Sequence, residues 1–72
     1  MNTRLVKLFG KALNRRRLGV GITQQELAFA SGLDRTYISL LERGLRQPSL
    51  TTIFSLSEAL GIDPWVLIED IC

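Results

Sequence analysis

Histidine is absent from this chain. Its absence removes imidazole from any acid–base scheme and removes the commonest nitrogen ligand for a metal. Cysteine occurs once, as Cys72, the last residue. One thiol closes no internal disulfide and builds no multi-cysteine zinc site, so a reducing compartment, the cytosol, is the expectation. No uninterrupted apolar run exceeds four residues, against the roughly 20 needed to cross a bilayer. The stretch from Met1 to Phe9 has neither the apolar centre nor the cleavage pattern of a signal peptide. A strand-like alternation, an internal repeat, a glycine loop for phosphate and a convincing nucleophile–base pair are also missing. Ser31 and Ser39 have structural explanations. No enzymatic activity, metal, cofactor, membrane partner or small-molecule ligand is therefore expected.

What remains is a chain of 72 residues, 46% hydrophobic and 22% charged, a globular rather than a disordered balance. The length allows one small domain, residues 1–72, near the lower limit for an unassisted core. Nine Lys and Arg against seven Asp and Glu leave a net charge of only +2. The distribution is more informative. Arg4, Lys7, Lys11, Arg15, Arg16 and Arg17 fall in residues 1–17 with no acid among them, and Glu58, Asp63, Glu69 and Asp70 fall in residues 58–72 with no base. One pole suits a phosphate polyanion and the other should point away from it. On charge alone a solvated basic helix face is an equal reading.

Apolar residues recur at three- and four-residue spacings, and Gly, Pro and cap residues divide them into five short helices. The first spans about 3–18, with Leu5, Leu8, Phe9, Ala12 and Leu13 as its stripe and Gly19 and Gly21 at its end. The second, about 24–31, starts at a capping box in Thr23-Gln24-Gln25-Glu26 and stops at Ser31-Gly32. The third, about 35–43, has Asp34 as N-cap, Ile38 and Leu41 facing inward and Gly44 after it. The fourth, about 50–60, follows Pro48 and Ser49 and directs Leu50, Ile53, Leu56, Ala59 and Leu60 inward, with Gly61 at its end. The fifth, about 64–71, has Asp63 as N-cap and Pro64 in its first position. Ile62, Leu67 and Ile68 should close the core, leaving Trp65, Val66 or Ile71 partly exposed.

The joint between helices 2 and 3 is a short helix, a Ser-Gly-Leu turn and a second capped helix, with Ala28 and Gly32 small enough for close approach. Such a joint forms a helix-turn-helix, whose second helix can enter a DNA major groove. The run Thr23-Gln24-Gln25-Glu26-Leu27-Ala28, then Ser31-Gly32-Leu33, then Tyr37 to Gly44, then Pro48-Ser49-Leu50 and Leu60-Gly61-Ile62 resembles the lambda-repressor-like (Cro/CI-type, XRE family) helix-turn-helix domain. The match runs from about Leu5 to Ile68.

The resemblance implies an all-α, five-helix domain that binds operator DNA as a two-fold dimer and regulates transcription. It places base reading on Arg35, Thr36, Ser39 and Leu40. Arg35 can donate two hydrogen bonds to the O6 and N7 edge of guanine, and Leu40 can meet a thymine methyl. A plain phosphate contact and a stray exposed leucine are the alternatives for these two. The resemblance places phosphate contacts on Gln24, with Thr23 and Tyr37 as further candidates and Arg43 and Arg46 as clamps after helix 3. It sets Arg17 aside as the structural partner of Glu42. Surplus apolar residues on helix 5, namely Trp65, Val66 and Ile71, suggest a homodimer surface. The acidic C-terminal segment is readable as a polymerase contact or, more simply, as a solubilising surface. Small members of this kind include phage repressors, Cro proteins, restriction–modification controller proteins and antitoxins. The competing reading is a protein-interaction module or antitoxin of the same fold.

Overall fold

The computed structural model describes residues 2–71, so Cys72, singled out above for its redox chemistry, lies outside the described residues. Five helices follow one another: α1 Thr3–Val20, α2 Gln24–Ser31, α3 Arg35–Glu42, α4 Leu50–Leu60 and α5 Pro64–Glu69. Among the described residues there is no strand. The chain is all-α with a helix-turn-helix formed by α2 and α3.

Short helices are marginal alone, so packing and caps must hold them. Asn2, Thr23, Asp34 and Ser49 each accept a backbone N–H at the start of α1, α2, α3 and α4. Thr23 and Glu26 complete a reciprocal box, with Glu26 N–H donating to Thr23 Oγ1 at 3.0 Å and Thr23 N–H to Glu26 Oε1 at 2.9 Å. Asp63 differs from the expectation. Its side chain makes no cap bond, and Pro64 alone starts α5.

Three boundaries also shift. α1 runs two residues past Leu18, because Gly19 stays helical and the left-handed turn (φ 86°) falls at Gly21. α3 closes at Glu42, with Arg43 as its C-cap. α5 closes at Glu69, short of residue 71.

The core is Phe9 and Leu13 of α1, Leu27 and Ala28 of α2, Ile38 and Leu41 of α3, Leu56 and Leu60 of α4, and Leu67 of α5. α1 packs on α3, α4 and α5, while α2 packs on α3 and α4. Leu8 and Ile68, both expected in the core, are only half-buried and lie outside the cluster, and two further expected core residues are exposed. Leu5 is 47% exposed and Val6 takes its place; Leu50 is 70% exposed. In α4 the inward face runs through Thr52, Leu56 and Leu60, at i, i+4 and i+8, with Ser57 beside it. Counting apolar letters alone misses this face, because Thr52 and Ser57 are polar yet buried. Each is satisfied: Thr52 by Ser49 and, from α3, by Tyr37, and Ser57 by donating to Ile53 O at 2.8 Å.

Ile62 and Ile71 pack against the cluster from its edge. A cleft of about 250 Å³ opens beside Ile71, lined also by Leu5, Val6, Phe9, Pro48 and Ile53 among others.

Candidate nucleic-acid interface

The turn between α2 and α3 is fixed by backbone chemistry. Gly32 takes φ 70°, a left-handed value that side chains disfavour, and Leu33 N–H reaches back to Ala28 O at 3.0 Å. A methyl on Gly32 would meet nothing within 4 Å. The glycine is there for its dihedral and not, as its size suggested, for close approach. The close approach lies elsewhere. At Gly10, on α1, an added Cβ would clash with Leu41 O and lie 2.8 Å from Glu42 O. α1 therefore rests directly on the C-terminal backbone of α3. A glycine within a helix-forming run, with no turn signal beside it, was the available clue.

Around that contact lies a polar knot. Arg17 Nε donates to Glu42 Oε2 at 2.7 Å and Arg17 Nη2 to Glu42 Oε1 at 3.0 Å. Arg17 Nη1 donates to Ile22 O at 2.8 Å. Asn14 Nδ2 and Gln24 Nε2 donate to the same Glu42 Oε1, at 2.9 and 3.1 Å. The side chains of Arg17 and Glu42 are only 11% and 5% exposed. Burial opposes ionisation of Glu42, but the hydrogen bonds from Arg17, Asn14 and Gln24 outweigh it and hold the carboxyl below its ordinary range. The Arg17 guanidinium is held charged by the same bond. The knot joins α1, the α1–α2 loop, α2 and α3. Asn14, one turn before Arg17 on the same face, carried no sequence signal of its own.

The knot leaves the start of α3 outward. Arg35 and Thr36 are exposed, and Ser39 and Leu40 are half-buried on the same helix. The nearest carboxylate on the chain, Asp34, is occupied by the Thr36 N–H at 3.0 Å. Gln24 stands at the first position of α2, with one amide hydrogen committed to Glu42. Thr23 is exposed, and its oxygen already accepts the cap bond. Arg43 and Arg46 are exposed on the α3–α4 loop.

Tyr37, expected as a further phosphate donor, is half-buried. Its hydroxyl meets Thr52 Oγ1 at 3.1 Å and ties α3 to α4. Its ring lies under Arg46, whose guanidinium carbon is 5.4 Å from the ring centre, a cation–π distance.

A second ion pair was not foreseen. Arg16 Nε and Nη2 donate to Asp70 at 2.8 and 3.1 Å, tying α1 to the end of α5. Hydrogen bonding to Arg16 lowers the Asp70 carboxyl below its usual range. On α5, Trp65 is 65% exposed, Val66 is half-buried, and Ile71, beyond the helix, packs on the core.

Residues 13–64, from the middle of α1 into the start of α5, match the family model described as helix-turn-helix. The chain belongs to the helix-turn-helix family of transcription regulators. The restriction–modification controller protein C.AhdI of Aeromonas hydrophila has a crystal structure that superposes with a TM-score of 0.83 at 49% identity, over 88% of this chain and 94% of that one. Control protein C.BamHI of Bacillus amyloliquefaciens is 41% identical over 70 residues, covering 96% of this chain and 86% of its own length. The HTH-type transcriptional regulator YqaF of Bacillus subtilis is 39% identical over 62 residues, 86% of this chain and 82% of that protein. Among the described residues, no helix of this helix-turn-helix protein is long and apolar enough to cross a membrane.

Proposed function

We propose that this chain is a cytoplasmic transcription regulator that binds a roughly palindromic operator as a homodimer, without catalysis, with α3 in the major groove. The observation that carries this reading is the exposure of Arg35 and Thr36 at the start of α3, on a helix whose other face is anchored by Ile38, Leu41 and Glu42. Arg35 reads guanine through its two-pronged donor, and Thr36, Ser39 and Leu40 contact neighbouring base edges. Gln24 offers its remaining amide hydrogen, and α2 its N-terminal backbone N–H groups, to one phosphate, with Thr23 beside them. Arg43 and Arg46 grip the strand beyond. Tyr37 serves this grip from behind, as the platform on which Arg46 rests.

The near-full-length likeness to two controller proteins favours a regulator that acts through its own concentration. Trp65 is the dimer anchor, with Val66 and Ile71 at its border. Two-fold pairing must place the recognition helices about 34 Å apart to meet successive major grooves.

Selection of bound duplexes from a random pool tests the reading. An inverted repeat is the expected product, and its affinity should fall with salt at a log–log slope of about −0.9 per phosphate neutralised. Failure to retain any duplex at low salt would overturn it in favour of a protein-interaction module.

A further inference from the structure

The six cations of residues 1–17 divide into two groups. Arg16 and Arg17 are committed to Asp70 and Glu42. Arg4, Lys7, Lys11 and Arg15 are all exposed, and neither ion pair found among the described residues uses them. With about 100° of turn per residue, these four project within an arc of about 80° and climb about 16 Å of α1. They form a ladder of one sign. α1 contains no acid to break it.

Elementary helix energetics argues against such a ladder as mere solvation. Like charges three and four residues apart repel, and an exposed face gains by mixing signs. Arg4 and Lys7 also stand near the positive end of the helix dipole, where acids are favoured, and the first turn of α1 carries no acid. Arg15 feels the charge of Asp70, but neither ion pair answers Arg4, Lys7 or Lys11, and a local rule broken in this way points outward, to a partner.

The surroundings say which partner. An ideal Cβ on Gly44 would lie 3.1 Å from Lys7 Cα, so the α3–α4 loop that carries Arg43 and Arg46 rests on the flank of the ladder. Gly10, between Lys7 and Lys11, rests on the last carbonyls of α3. The ladder and the loop arginines therefore belong to one cationic surface that adjoins the C-terminal end of the recognition helix. A rigid row of charges about 16 Å long fits a regular polyanion, and duplex DNA carries about one charge per 1.7 Å of its axis.

We infer that the exposed face of α1 is a second, sequence-independent DNA contact, which tracks the phosphates of the duplex flanking the site read by α3. The inference rests on the operator-binding reading above. It adds a footprint longer than the inverted repeat and a salt dependence steeper than Arg43 and Arg46 alone supply.

The test uses the full chain and its Lys7→Gln/Lys11→Gln variant, with two duplexes. One carries only the selected inverted repeat; the other extends it by about one helical turn, roughly ten base pairs, on each side. Affinities are measured across a salt series. The wild type should bind the long duplex tighter and with a steeper slope. The variant should lose that gain, about 0.9 in slope and about eightfold in affinity per contact over a decade of salt, while its binding to the short duplex stays close to wild type. Equal behaviour of the two proteins on the long duplex overturns the inference. So does an equal loss on both duplexes, which is the mark of a diffuse field rather than a contact. Arg35→Ala separates the two readings: it should weaken both duplexes alike, and if it weakens neither, the base-reading role of α3 fails while the α1 result stands by itself.

Discussion

Replacing Glu42 by alanine should destabilise the protein more than any other polar substitution. The carboxylate accepts four hydrogen bonds from three side chains. Its removal leaves the Arg17 guanidinium, only 11% exposed, with a single carbonyl partner at Ile22. Breaking one side of a buried pair costs about 3–5 kcal/mol, because the orphaned charge keeps its desolvation penalty. A domain of this size has about 4–11 kcal/mol of total stability. The loss is therefore about a quarter of that total or more. At about 4–8 °C per kcal/mol, the thermal midpoint should fall by roughly 12–40 °C. Far-UV circular dichroism during a thermal ramp reads this directly. The paired variant Arg17→Met/Glu42→Leu separates an orphaned charge from lost shape, since two packed apolar chains can replace a buried pair at little cost. The double variant should melt above Glu42→Ala. A Glu42→Ala midpoint within about 2 °C of wild type, or a double variant below the single, would refute the reasoning.

The remaining predictions concern acid stability, packing, DNA and assembly. Glu42 and Asp70 both ionise at lower pH folded than unfolded, so the unfolded chain binds more protons in that window. Their stabilisation is complete above the unfolded carboxyl pKa of about 4 and is lost as pH falls through the folded values; thermal midpoints should drop in acid, and Asp70→Asn should flatten the curve. Gly10→Ala should cost at least about 1–3 kcal/mol by overpacking, whereas Gly19→Ala, which meets nothing within 4 Å, should gain about 0.5–1 kcal/mol in urea denaturation. Arg35→Ala should cost about 1–3 kcal/mol on the operator and relax choice at one base pair; Arg43→Ala should weaken all duplexes alike and lower the salt slope by about 0.9. Trp65→Glu should shift sedimentation at micromolar concentration from dimer to monomer without lowering the thermal midpoint of the protomer.

The helices were legible because their punctuation is chemical. Thr23 with Glu26, Asp34, Ser49 and Pro64 are start signals with local mechanisms, and Gly32 and Gly61 are stops. α1 overran its expected end because two glycines compete there, and the choice between them depends on which one takes the left-handed turn. Burial was less legible wherever polar atoms go inside. Thr52 and Ser57 are buried because nearby oxygens satisfy them, and no apolar count anticipates that. Leu50 illustrates the converse, an apolar residue set outside by that same polar face. In the candidate interface, the exposure of Arg35 and Thr36 follows from the positions of Ile38 and Leu41 on the opposite face. The commitments of Tyr37 to Thr52 and of Arg16 to Asp70 join residues 15 and 54 positions apart, beyond the reach of local pattern.

The eight residues of α3 keep two trades on separate sides. Ile38, Leu41 and Glu42 hold the protein together, while the side chains of Arg35 and Thr36 hold nothing in it. Exchange of the outer pair is therefore nearly free of structural penalty. On the proposed reading of α3, lineages that share this scaffold can acquire new target sites by changing a few letters there, and a host carrying several such regulators can keep their circuits apart without reinventing the molecule.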